Sequence, residues 1–176
     1  MNTYEFSMIL GGVNAATAHL EDSLFEAGCN DGMICTYNST VYIEFSREAD
    51  SYKKAIVSAV KDIESSSIKA KVISVDAGGL VGLSDVAALT KISKQLIALL
   101  KDGKRGPGTF PSPIQRIKGK QPLWRWSEVA NWLHEQGKIG IILKDNAFVT
   151  DAMNRALDER KMDPLVDEFK HELAVA

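Results

Sequence analysis

The first 75 residues switch repeatedly between a two-residue and a 3.6-residue apolar period, and few folds accommodate that switching. Tyr4, Phe6, Met8 and Leu10 alternate with Glu5, Ser7 and Ile9, so residues 3–10 predict a strand. Gly11-Gly12 breaks the run. Asn14 is placed to cap a helix running to about Ala27, with Leu20, Leu24 and Ala27 at helical spacing and Gly28 as its stop. After an Asn30-Asp31-Gly32 turn, Met33–Tyr37 and Val41–Ser46 predict a hairpin around Asn38-Ser39. Asp50 or Ser51 caps a second helix. Its stripe is Tyr52, Ala55, Ile56, Ala59, Val60 and Ile63. Ser65-Ser66-Ser67 ends it, and Ile68–Val75 is a last strand. The order β-α-β-β-α-β is the split, ferredoxin-like arrangement. The expectation is therefore an α+β chain with a ferredoxin-like domain over residues 1–76 and a glycine-containing linker at Asp76–Gly79.

A second unit is expected over residues 80–136. Ser84 is read as the cap of a short helix with Val86, Ala87 and Leu89. Thr90-Lys91-Ile92 is a turn, and Ser93 caps a helix with Leu96, Ile97, Leu99 and Leu100. Asp102-Gly103 stops that helix. Two glycines and three prolines from Lys104 to Pro113 make a shaped loop. Ile114–Arg125 alternates loosely around Lys118-Gly119-Lys120, which predicts a hairpin tip between short strands. Ser127 is read as the cap of a helix carrying Val129, Trp132 and Leu133. Residues 137–176 form a tail: an apolar stretch, Ile139–Leu143, and two amphipathic helices near Ala147–Arg160 and Pro164–Ala174.

The formal net charge of −2 conceals an uneven distribution. Residues 1–80 hold 6 Lys/Arg against 11 Asp/Glu, residues 81–136 hold 9 against 4, and residues 137–176 hold 6 against 8. A basic middle between acidic ends points to a polyanionic partner. Leu83–Leu100 has helix-turn-helix spacing: a small residue, Ala87, at the crossing, a turn, then Ser93 opening a second helix that returns Ile97 to the core. Such a helix fits a DNA major groove with its N-terminal residues near base edges. Ser93, Lys94 and Gln95 occupy those positions. Gln pairs bidentately with adenine, and Lys favours guanine or phosphate. Lys104, Arg105, Arg116, Lys118, Lys120 and Arg125 follow as candidate phosphate contacts on a basic wing spanning residues 104–125. Trp124 and Trp126 are read as packing residues in a small domain.

Residues 80–133 resemble excisionase-like winged helix proteins of the broad MerR-like group. The matching blocks are Leu83-Ser84-Asp85-Val86-Ala87, Ser93, Arg105-Gly106-Pro107-Gly108 with Phe110-Pro111, Leu123-Trp124-Arg125-Trp126-Ser127-Glu128-Val129, and Trp132-Leu133. Residues 4–133 are also similar to bacterial helix-turn-helix proteins that carry an α/β domain in front. The resemblance implies a wing on the minor groove or backbone, and a role in transcription or site-specific recombination. One position departs from it: Lys91 stands where such turns usually carry glycine, and a positive φ costs Lys more than Gly.

No catalytic site is expected. His19, His134 and His171 are far apart in sequence and in no motif. No nucleophile elbow, phosphate loop or dinucleotide fingerprint is present. Cys29 and Cys35 lack companions at metal spacing and are read as reduced thiols, so no metal or cofactor is expected. No membrane span or signal peptide is read, which makes the cytoplasm the expected location. The expected partners are double-stranded DNA and a second copy of the chain, because one short recognition helix buries little surface. The ferredoxin-like domain, the tail helices or both would supply the dimer contact; in that domain a sheet edge is available for pairing, or its open face for a small ligand. A transcriptional regulator is the leading expectation. A recombination-directionality or architectural factor and a protein-interaction adaptor are the alternatives.

Overall fold

A computed structural model describes residues 1–76 and 79–175; Ala77 and Gly78 of the expected linker lie outside the described residues. The chain is mixed α and β. The first unit runs β1 (Asn2–Gly11), α1 (Leu20–Glu26), β2 (Gly32–Tyr37), β3 (Thr40–Ala49), α2 (Tyr52–Ser65) and β4 (Lys71–Val75). Its four strands form an antiparallel sheet in the order β2-β3-β1-β4. A two-residue turn at Asn38-Ser39 sets Tyr37 opposite Thr40, and that closure fixes the β2–β3 register. Phe6 faces Phe45 and Met8 faces Ile43 across β1 and β3. These side chains, with Leu10 and Val41, pack against Leu24 and the Ala55, Ile56, Ala59 and Ile63 stripe of α2 in one apolar core.

The inward alternation of β3 continues past Phe45 to a charge, Arg47, which is buried. Burial opposes that charge. Five hydrogen bonds offset it: two to Asp31 (2.7 and 2.8 Å), one each to Asp62 (2.7 Å) and Ser58 (3.1 Å), and one to the Gly28 carbonyl (3.0 Å). The guanidinium also lies 4.9 Å from the Phe45 ring centroid. Against desolvation, these partners raise its pKa further above the usual arginine value. Arg47 thus ties the start of β2 to α2 through β3.

Helix α1 begins later than Asn14. The Asn14 side chain accepts instead from Ala16 N (2.8 Å), a local turn that competes with helix. His19, in the left-handed region, precedes the first helical residue.

The second unit consists of β5 (Leu80–Val81), α3 (Leu83–Thr90), α4 (Lys94–Lys101), β6 (Trp124–Arg125) and α5 (Trp126–Glu135). Strands β5 and β6 pair antiparallel. A second core gathers Val86, Ile97, Leu100, Trp124, Trp126, Val129, Trp132 and Leu133. Ser127 is buried rather than capping α5.

The expected tail is not a tail throughout. Helix α6 (Ile141–Glu159) begins six residues before Ala147 and spans both cores, burying Ala147 in the second and Leu157 in the first. Tyr52 Oη lies 3.1 Å from Thr150 Oγ1. Asn154 accepts from Val75 N (2.7 Å) and donates to Val75 O (2.9 Å), as a neighbouring strand would. Helix α7 (Pro164–Ala174), capped by Asp163, buries no residue. Among the described residues no helix is long and apolar enough to cross a membrane. A cleft of about 920 Å³ separates the ends of β1, β2 and β3 from α6, with Glu5, Glu44, Tyr52, Trp126 and Asn146 among its walls.

Candidate nucleic-acid interface

Helix α3 is started by Gly82 rather than Ser84, because the Asp85 carboxylate accepts from Gly82 N (2.7 Å). Its end is closed by Thr90, whose hydroxyl donates to Val86 O (2.7 Å) and accepts from Ile92 N (3.2 Å). Lys91 follows with φ 59°, in the left-handed conformation that disfavours every side chain. Ser93 Oγ then accepts from Leu96 N (3.2 Å) and caps α4. Ile97 and Leu100 turn inward, which leaves Lys94 and Gln95 exposed at the N-terminal end of the helix.

The chain after α4 doubles back on it. Lys104 N and Arg105 N both donate to Leu99 O (3.0 and 3.2 Å). Gly103, Gly106 and Gly108 take positive φ values, and a Cβ at Gly106 would stand 3.3 Å from Leu100, so the loop hugs the core. Phe110 pins its middle, packing edge-on to Trp124 and Trp132 with centroids 6.1 and 5.1 Å away. The two indole N–H groups complete the anchor: Trp124 donates to Pro111 O (2.9 Å) and Trp132 to Thr109 Oγ1 (3.1 Å). The tryptophans are core residues that hold a loop.

The wing is slighter than expected. One bridge, Gln115 to Leu123, replaces a pair of strands, and the tip closes with Gly119 N donating to Arg116 O (2.9 Å). Pro113 and Pro122 flank that bridge and have no N–H to extend it. Arg116, Lys118 and Lys120 are exposed on the tip.

The cations fall into two groups. Lys101 pairs with Asp102, whose carboxyl it holds below the usual carboxylate range. Arg125 reaches Asp151 (3.4 Å) and Glu128 (3.5 Å) and is neutralised within the fold, so we leave it out of the interface. Lys91, Lys94, Lys104, Arg105, Arg116, Lys118 and Lys120 are exposed and form no ion pair among the described residues. Sequence reading missed Asp151, 26 residues from Arg125, and the role of Phe110. Neither leaves a local signal. Among the described residues no group of His, Cys, Asp and Glu could hold a metal ion.

No family model, curated protein or solved structure matches this chain.

Proposed function

We propose that this chain binds double-stranded DNA in a sequence-dependent way and regulates transcription, with α4 as the reading helix and residues 104–120 as a backbone-contacting wing. The observation that carries the reading is the set of seven exposed cations without an ion pair among the described residues, carried by the turn before α4, by α4, by the anchored loop that follows it and by the tip at Arg116–Lys120. A protein of net charge −2 has acids enough to pair them, as it does at Arg47, Lys71 and Arg160. Leaving them unpaired costs little in water and supplies the counterion release that dominates DNA affinity. The short helix pair α3–α4, the β5–β6 ribbon and the turn at Arg116–Gly119 support reading residues 80–136 as a winged helix-turn-helix. The strand order β2-β3-β1-β4 supports reading residues 1–76 as ferredoxin-like.

Duplexes selected from a random pool, followed by anisotropy titrations across a salt series, test this. Binding should weaken steeply with salt, each phosphate contact adding about 0.9 to the log–log slope. Arg105→Ala and Lys120→Ala should each lower that slope by about one unit on every sequence. Lys94→Ala and Gln95→Ala should erode preference for the selected site by about 1–3 kcal/mol per lost base pairing. Salt-independent binding, or a Gln95→Ala protein with unchanged preference, refutes the assignment.

A further inference from the structure

The two edges of the four-stranded sheet are finished differently. At β4, the outward N–H and C=O of Val75 are taken up by the Asn154 side chain, and Lys71 adds a charge. At β2, no side chain among the described residues covers the outer backbone groups. Gly32–Tyr37 reads Gly-Met-Ile-Cys-Thr-Tyr, without charge or proline, whereas β1, β3 and β4 each carry charged residues. Charged residues, prolines and covering side chains are the usual means of stopping edge-to-edge pairing. Tyr37 and Thr40 flank the two-residue turn and exchange ladder bonds, so alternation turns the N–H and C=O of Ile34 and Thr36 away from β3. Met33 and Tyr37 share one face with Cys35, and they are 60% and 74% exposed.

We infer that β2 is a dimerisation edge, two copies pairing antiparallel about a two-fold axis at Cys35 to make one eight-stranded sheet. In that register Ile34 of one copy lies opposite Thr36 of the second, and all four outward donor and acceptor pairs are satisfied. Met33 covers Tyr37 of the second copy, which removes both exposed apolar groups from water. The axis places the two Cys35 residues in a non-hydrogen-bonded pair, where Cα atoms sit about 4.5 Å apart and a disulfide fits. Charge favours this surface over the other unpartnered one, the Leu165, Phe169 and Leu173 stripe of α7. That stripe is flanked by Asp163, Asp167, Glu168 and Glu172 against Lys170 alone, so two copies would bring like charges together. Two copies of β2 bring no charge from the strand itself, and the nearest acids beside it, Glu21 and Asp22 of α1, line a groove next to Gly32 and Ile34.

A six-residue edge falls short of the roughly 800 Å² per partner of a standard interface, so the dimer should dissociate in the micromolar range. Light scattering on the full chain, without DNA, is therefore run across that range. Wild type should pass from monomer to dimer. Met33→Lys, at an exposed side chain, and Thr36→Pro, at an outward N–H, should each raise the dissociation constant at least tenfold with unchanged circular dichroism. Copper–phenanthroline oxidation should cross-link wild type and Cys29→Ser but not Cys35→Ser, because Cys29 is buried and its thiol is pushed up to about 11, chiefly by desolvation. A monomer throughout overturns the inference. So does a dimer that survives Met33→Lys, or one lost only in Phe169→Asp, which would move the contact to α7. None of these readouts involves DNA, so this inference and the proposed function fail separately.

Discussion

The two units of this protein differ in what they do with their cations. In the first, Arg47 is buried between Asp31 and Asp62, Lys54 pairs with Asp50 and Lys71 with Glu64, while Lys53, Lys61 and Lys69 are exposed without an ion pair among the described residues. In the second, no cation is buried, and most are exposed without an ion pair among the described residues. Buried pairing makes a charge structural, because removing it strands its partners. Exposure without pairing makes a charge free to meet an outside anion, because nothing inside the fold depends on it. The same residue types thus serve folding at Arg47 and, on the function proposed above, recognition in the second unit.

The comparison breaks most visibly at Arg47. Arg47→Met keeps the stem but strands Asp31 and Asp62. Losing one partner of a buried pair costs about 3–5 kcal/mol, and these carboxylates are about 30% exposed, so the lower end, about 3 kcal/mol, is expected. Urea unfolding should show the unfolding free energy fall by that amount, through a lower midpoint at unchanged slope. A loss under 1 kcal/mol would place Arg47 with the exposed cations and erase the contrast.

Asn154 tests whether the two units are independent. Its carboxamide is the hydrogen-bonding contact between α6 and the β4 edge, and Asn154→Ala leaves Val75 N and O without protein partners. Unsatisfied buried groups cost about 1–3 kcal/mol, and the 510 Å³ cleft beside Val75 admits water that offsets part of this. We expect a loss of about 1–2 kcal/mol and a single unfolding transition that splits in two. One unsplit transition would show that the Tyr52–Thr150 hydrogen bond and the apolar contacts of Ala147 and Leu157 suffice to couple the units.

What could be read in advance follows from the range of the forces involved. The strands and α2 were legible because period-two and period-3.6 patterns are local, and Ser93 was legible as a cap because the N–H that donates to it, that of Leu96, lies three residues away. Asn14, Ser84 and Ser127 misled for one reason: a serine or asparagine announces a turn or cap without saying which nearby N–H it will meet. Gly82 with Asp85 outcompetes Ser84, and a local Asn14 turn outcompetes the helix. The buried destination of Arg47 depends on Asp31 and Asp62, 16 and 15 residues away, and the pairing of Arg125 on Asp151. Chain distance of that order leaves no periodic trace. Of the candidate interface, the exposed cations were legible and the Phe110 anchor was not, since a phenylalanine among prolines and glycines has no pattern to belong to.

Lys91 gives the finest test, because stability and recognition make opposite demands on it. A left-handed conformation costs a side-chain-bearing residue about 1–2 kcal/mol, and glycine avoids that cost while losing about 0.5–1 kcal/mol of its own to unfolded-chain entropy. Lys91→Gly should therefore stabilise the protein by up to about 1 kcal/mol in thermal or urea unfolding. If the ammonium meets a phosphate, the same change should weaken DNA binding on every sequence and take about 0.9 from the salt slope. A variant that is more stable and binds DNA less tightly identifies Lys91 as a charge kept at a structural cost for recognition. A variant that is less stable would show that Lys91 supports the turn, and would move one of the seven exposed cations to the structural side of the comparison.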